Sequence, residues 1–228
     1  MVVYYRTLLP TAVLISAGLD SAVLAAHEAR HGRVHPIYVS TGLAWEAEER
    51  ATLDVLLAAP PFRTLEPVVQ LTFSVTDVYP ETHWAIRGEP PAFDTPDEDV
   101  YLTGRNIALL SKTAIHCARN RIDRIALGPL EGNPFPDATA EFFAAMTRAL
   151  SLGLAHDLII DTPFAALTKS EVIRIGVGLG VPLAATLSCM NPREGQHCGR
   201  CSKCRERRDA FREAGVIDET RYAVVPVR

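Results

Sequence analysis

The sequence has no apolar run near the ~20 residues that cross a bilayer. Its longest apolar stretches, around Thr11–Ile15 and Asp157–Ile160, stop far short of that, which excludes a helical membrane protein. Met1–Pro10 holds a single Arg and no apolar region ahead of a small-residue cleavage site, so no secretory leader is expected and the reading is cytoplasmic. Positive charge is not in excess: 23 Lys and Arg against 27 Asp and Glu leave −4. That balance argues against nucleic-acid binding over the whole surface. No internal repeat or low-complexity tract occurs. With 48% hydrophobic and 22% charged residues in a chain of 228, disorder and fibrous repeats are excluded and a buried core is within reach. Disulfides are not expected either. Of five cysteines, Cys189, Cys198, Cys201 and Cys204 crowd near the C-terminus, a spacing that suggests a metal rather than a disulfide framework.

What is present is an alternation of strand and helix signals. Thr11–Ser16 is a short apolar run with β-branched residues, and Leu19–Gly32 follows as a helix. Val34–Val39, Leu65–Phe73, Arg124–Gly128 and Leu158–Asp161 read as further strands. Trp45–Ala58, Arg105–Asn120, Ala138–Leu152, Lys169–Leu179 and Ser202–Ala214 read as helices, with Thr168 and Glu171 forming a capping box. Tyr222–Val227 reads as a closing strand. Such alternation makes a parallel α/β sheet the economical fold. Ser74–Gly104, rich in Pro, Asp and Glu, is expected as a long surface excursion. Pro129–Pro136 is expected as a loop after a strand's C-terminal end, where ligands of doubly wound sheets bind.

The turn between the first strand and first helix reads Ser16-Ala17-Gly18-Leu19-Asp20-Ser21. Backbone N–H groups and the helix dipole make an anion site there, small residues admit a phosphate, the two hydroxyls can donate to it, and Asp20 can hold a bridging Mg²⁺. It is neither the Walker pattern nor the dinucleotide fingerprint. It resembles the S-G-G-x-D-S loop of the PP-loop ATP pyrophosphatases, with Ala17 in place of the second small residue. The four cysteines have spacings that close a tetrahedral shell around one ion. Zinc is the default and an iron–sulfur cluster the rival. His197 is expected as a neighbour rather than a ligand, and Cys117, inside a helix, as core.

Taken together, the loop and the cysteines resemble the 7-cyano-7-deazaguanine synthase family. Between them, Gly104-Arg105-Asn106 looks like that family's (A/G)-R-N, and Phe135-Pro136-Asp137 with Glu141-Phe142 looks like its Y-P-D…E-F. Leu167-Thr168-Lys169, Gly180-Val181-Pro182-Leu183 and Ser188-Cys189 look like its L-T-K…G-V-P-L…S-C. The resemblance implies a Rossmann-like adenine nucleotide α-hydrolase core over 1–185, with a zinc-binding C-terminal segment over 186–228 packed on it, in a homodimer. It also implies a reaction using ATP and Mg²⁺: the carboxylate of 7-carboxy-7-deazaguanine is adenylated, ammonia attacks, and the amide is dehydrated to the nitrile with a second ATP. Asp20 and Lys169 are then the catalytic candidates. Ser16–Ser21 with Arg105 and Asn106 are the ATP and phosphate candidates, and Trp45, Phe135 and Asp137 the substrate candidates.

Two stretches depart from the family pattern. Ser40-Thr41-Gly42-Leu43-Ala44-Trp45 stands where the family has D-Y-G-Q-R-H, keeping the Gly and the later Glu48, and Ala138-Thr139 replaces a Cys-Arg pair. These losses keep a second outcome open, in which the activated acyl group passes to a different amine, for example on a protein. A PP-loop tRNA sulfur transferase is a third reading and a non-catalytic zinc module a fourth. Such a module would present Arg193, Arg200, Lys203, Arg205, Arg207, Arg208 and Arg212 to a partner, but the ordinary reading of these residues is a solvated basic helix face.

Overall fold

The computed structural model describes residues 10–224. Its elements are β1 Thr11–Leu14, α1 Leu19–Glu28, β2 Val34–Ser40, α2 Glu46–Leu57, β3 Val69–Thr72, α3 Trp84–Arg87, α4 Arg105–Asn120, β4 Arg124–Ala126, α5 Ala140–Leu154, β5 Ile159–Asp161, α6 Lys169–Gly178 and α7 Ser202–Ala214. The strands form one parallel sheet in the order β3-β2-β1-β4-β5. Because strand side chains alternate between faces, Val13 and Tyr38 enter one apolar cluster while Ala12, Ile37 and Val39 enter the other. The first cluster is filled from α1, α2, α6 and α7, the second from α4 and α5, so the molecule has helix, sheet and helix layers. Cys117 lies wholly buried in the second.

α6 lies close against α1 at Gly176, where a Cβ would come within 2.8 Å of Val23 and 2.9 Å of Leu183. At the start of β1 and β4, the Arg124 guanidinium binds Glu28, Asp161 and the Thr11 hydroxyl out of solvent. Burial alone would raise the Glu28 pKa, but His27 and Arg124 hold it down to about 2.

Most elements fall where the sequence pattern puts them, and the differences are at ends. β3 is four residues, not nine, and α5 begins at Ala140 after a 3-10 turn at Pro136–Ala138. The Ser74–Gly104 excursion carries α3 and a 3-10 turn at Asp97–Val100. In place of a closing strand, Tyr222 makes a single parallel bridge to His197. The remainder of that expected strand lies outside the described residues. Among the described residues no helix is long and apolar enough to cross a membrane.

Candidate active site

The chain runs β1-β2-β3 toward one sheet edge and then returns to the other side of β1 as β4. This reversal opens a crevice at the C-terminal ends of β1 and β4, and the Ser16–Ser21 loop forms its floor. The left-handed backbone of the loop falls at Ala17, with φ of 59°, while Gly18 caps α1 at φ −62°. The Ala17 carbonyl accepts from Leu187 N at 2.9 Å, which ties the loop to the segment leading into the cysteines. Ser21 differs from expectation. Its hydroxyl accepts from Ser16 N at 3.2 Å and donates to the Gly18 carbonyl at 3.0 Å, so it braces the loop instead of facing a phosphate. The Ser16 hydroxyl and the first-turn N–H groups of Leu19, Asp20 and Ser21 are the donors left for an anion.

Charge is concentrated at the mouth of this loop. Lys169 Nζ lies 3.2 Å from Asp20 Oδ2 and 2.6 Å from Glu206 Oε1, and Lys203 Nζ lies 2.6 Å from Glu206 Oε2. Burial would weaken the Lys169 ammonium, but the Asp20 and Glu206 charges outweigh it and hold the pKa above the usual lysine range. The helix-start lysine is therefore a half-buried, paired cation. Asp20 Oδ1 is buried with no hydrogen-bond partner among the described residues, an orphaned acceptor that fits a divalent cation.

Two adjoining chambers, of about 280 and 340 Å³, share Ser16, Gly18, Asp20, Glu49 and Arg105. The first runs between Ile15, Tyr38, Val39 and Leu109. The second is walled by Trp45, Trp84 and Phe135, the last of which also lines the first, and reaches Lys169, Cys189 and Lys203. Trp45 stacks on Trp84 at 5.8 Å and 9°, and Phe135 on Tyr101 at 5.3 Å. Arg105 Nε is buried and has no hydrogen-bond partner among the described residues. Asn106 is paired with Asp137: its N–H donates to Asp137 Oδ2 at 3.0 Å and its side-chain amide to the Asp137 carbonyl at 2.8 Å. Asp137, its pKa raised by burial, thus fastens the first turn of α4 and lines the first chamber, apart from Trp45 in the second.

The sulfur atoms of Cys189, Cys198, Cys201 and Cys204 lie within 4.8 Å of one another, all buried. Three pairs are 3.5, 3.9 and 4.0 Å apart, near the roughly 3.8 Å of a tetrahedral shell with metal–sulfur bonds of ~2.3 Å. Backbone N–H groups of Asn191 and Cys198 donate to Cys189 Sγ, and that of Arg200 to Cys198 Sγ, which suits thiolates. The cluster can hold a metal ion. His197 is outside it, accepting from Ser188 N at 3.0 Å through Nε2, with its pKa pushed down to about 3 by burial and by Arg207.

With this arrangement of loop, chambers and cysteines, residues 11–215 match the family model described as Queuosine biosynthesis protein QueC. The chain belongs to the QueC family. It is 33% identical over 225 residues to the 7-cyano-7-deazaguanine synthase of Anaeromyxobacter dehalogenans, covering 92% of this chain and 94% of that protein. It is also 33% identical over 229 residues to that of Methanopyrus kandleri, covering 93% and 98%, and 32% identical to that of Hydrogenovibrio crunogenus, covering 92% and 94%. A solved structure, the U34-tRNA thiolase NcsA from Methanococcus maripaludis with its [4Fe-4S] cluster, overlays at a TM-score of 0.48 and 13% identity over 92% of this chain and 72% of that one, too distant a likeness to bear on chemistry.

In this QueC family member the departing loops have local structural reasons. The Glu46 carboxylate accepts from the Ser40 hydroxyl at 2.6 Å, Thr41 N at 2.8 Å and Gly42 N at 3.0 Å, so one side chain ties down the whole Ser40–Trp45 turn. Trp45 then becomes a wall. Thr139 caps α5 by accepting from Phe142 N at 3.1 Å. Polar groups reach the second chamber from elsewhere, namely Asp97, Glu131, Asn133, Lys203 and Glu206. The basic face also differs from expectation. Arg207 is fully buried, donating to Thr220, Thr186, Ser188 and the Leu183 carbonyl, and Arg205 binds Phe93 O, Thr95 O and Asp97. Glu49, rather than the neighbouring Glu48, is the acid buried at the junction of the chambers, accepting from the Tyr38 hydroxyl at 2.9 Å.

Proposed function

We propose that this protein uses ATP to activate the carboxylate of 7-carboxy-7-deazaguanine as an acyl-adenylate, with loss of pyrophosphate. Ammonia then attacks the acyl carbon and displaces AMP to give the amide, and a second ATP adenylates the amide oxygen, which leaves with AMP as the nitrile of 7-cyano-7-deazaguanine forms. The observation that carries this reading is the Lys169–Asp20 contact at 3.2 Å above the phosphate loop, opening on an aromatic-walled chamber. The same chain matches proteins of that name over nearly its whole length.

A carboxylate is a poor acyl donor, and adenylation gives it a good leaving group. As its oxygen attacks the α-phosphorus, negative charge grows on the phosphoryl oxygens and on the departing pyrophosphate. The first-turn N–H groups of α1, the Ser16 hydroxyl, Arg105 and Lys169 are the donors and cations that meet that charge. Asn106 and Asp137 keep the start of α4, and with it Arg105, in register. Asp20, with its orphaned Oδ1, would hold Mg²⁺, which would supply positive charge against the phosphates. Trp45 and Phe135 offer flat apolar faces to the deazaguanine ring. Glu49, its pKa pushed up to about 7 by burial, is suited to take the proton that ammonia sheds as it attacks. Zn²⁺ on the four cysteines would cross-link the C-terminal segment, since four thiolates leave no open position for substrate. Sulfurs as close as 3.5 to 4.0 Å suit a single ion and leave little room for an iron–sulfur cluster.

Incubation with ATP, Mg²⁺, 7-carboxy-7-deazaguanine and ammonium is expected to give AMP, pyrophosphate and the nitrile, at two ATP per nitrile. ADP as main product, or nucleotide turnover indifferent to the carboxylate, would overturn the reading. Asp20→Ala is expected to cut pyrophosphate release at least 100-fold with the circular dichroism spectrum unchanged.

A further inference from the structure

Among the described residues lining the second chamber, the cations are Arg105, Lys169 and Lys203. Arg105 also lines the first chamber, and Lys169 is committed to Asp20 of the phosphate loop. Lys203 is different. It stands on the first turn of α7 between Cys201 and Cys204, has its ion pair with Glu206 rather than with the phosphate loop, and does not line the first chamber. Its Nζ rests on Glu206 Oε2 at 2.6 Å, with the side chain one-quarter exposed. The chamber's acids, Asp20, Glu49, Asp97, Glu131 and Glu206, outnumber its three cations. An anionic substrate entering it is repelled unless a cation meets its charge.

We propose that Lys203 is the cation that binds the substrate's carboxylate, with Glu206 holding the ammonium in the chamber until the substrate displaces it. The assignment rests on the proposed function for its ligand, and on the division of labour among the three cations for its residue. The Lys203 backbone is fixed by the cysteines on either side, so the flexible stem alone turns from Glu206 to the ligand. Lys203 would then determine specificity, selecting a charged acid over the uncharged nitrile that leaves.

The test is calorimetric titration of the metal-loaded, full-length protein, in the presence of a non-hydrolysable ATP analogue, with 7-carboxy-7-deazaguanine and separately with 7-cyano-7-deazaguanine. Lys203→Met is expected to weaken binding of the carboxylate tenfold or more and of the nitrile less than twofold, with affinity for the ATP analogue unchanged. Lys203→Arg is expected to keep carboxylate affinity within about threefold of wild type. Metal content and melting temperature are measured on both variants, and if Lys203→Met has lost metal, Lys203→Gln takes its place. Equal losses for the two ligands, or no loss for the carboxylate, would overturn the assignment while leaving the proposed function standing. A wild-type protein that binds the ATP analogue but not the carboxylate would overturn both.

Discussion

Glu49 is a carboxylate with 7% exposure that has, among the described residues, a single direct hydrogen-bond donor, Tyr38. Burial pushes its pKa up to about 7, against the pull of Arg105 and Tyr38 and with the help of Glu46. The folded state therefore holds a proton that the unfolded chain releases near 4.5, and stability contributed by the neutral acid is lost as pH rises through 7. A shift of that size corresponds to about 3 kcal/mol at most. Glu28 acts with the opposite sign: held down to about 2, its stabilisation is present above the ordinary carboxylate pKa and is lost as pH falls toward 2. Glu49→Gln, which keeps an acceptor for Tyr38, is expected to raise stability at pH 8 by up to about 3 kcal/mol and to change it little at pH 4, as read by urea denaturation at the two pH values. A penalty equal at both would mean that the carboxylate stays ionised throughout. The family pattern points to Glu48, one residue away. Only the angle at which α2 leaves Trp45 decides which of the two acids turns inward, and nothing in residue spacing records that angle.

The capping box that starts α6 is an element whose geometry was legible in the sequence, because it is local chemistry. Thr168 Oγ1 accepts from Glu171 N at 3.3 Å, and Glu171 Oε2 accepts from Thr168 N at 2.8 Å, as the Thr-x-x-Glu spacing requires. The box fixes the turn that carries Lys169. Thr168→Ala is expected to cost about 1 kcal/mol in thermal or urea unfolding, and because the freed turn also carries the Lys169 ammonium, to lower pyrophosphate release by more than that stability loss alone predicts. Strand ends were less legible. Ile15 and Leu127 are buried just past β1 and β4, each with a last backbone bond to a neighbouring strand, at the Ile37 and Asp161 carbonyls, so the apolar run outlasts the strand by a residue on its way into the site. The charge chain from Asp20 to Lys203 was illegible for another reason. Lys169 and Glu206 are 37 residues apart and meet because α6 and α7 pack together, a tertiary fact with no trace in either segment. The same packing buries Arg207, so a helix rich in Arg looks solvated in sequence while its central guanidinium holds four neutral acceptors out of water.

At the scale of the whole molecule, the two large apolar clusters belong to the sheet and its helices, and a third stands over the site. The third joins the four cysteines to Leu43, Trp45, Ala85, Val100 and Leu102, with Trp84 packed against it. The wall of the second chamber and the metal-binding cluster are thus one packing unit. α7 bridges the units, since its Cys204 belongs to the third cluster while Ala210 and Phe211 are buried with α1 and α6. Without a cation, four thiols within 4.8 Å cannot all ionise against each other's charge, and the third cluster loses its cross-link while the other two keep theirs. The sequence contains two tryptophans, and both lie in or against this third cluster, so their fluorescence reports on it alone. A chelator is therefore expected to shift tryptophan emission to longer wavelength and to abolish carboxylate-dependent pyrophosphate release, while far-UV circular dichroism retains most of its helix signal. Amide exchange is expected to quicken over 84–102 and 187–204 and to stay slow in β1, β2 and α1. If emission and circular dichroism instead collapse in a single transition, the three clusters fold as one unit, and the metal stabilises the sheet as directly as it stabilises the site.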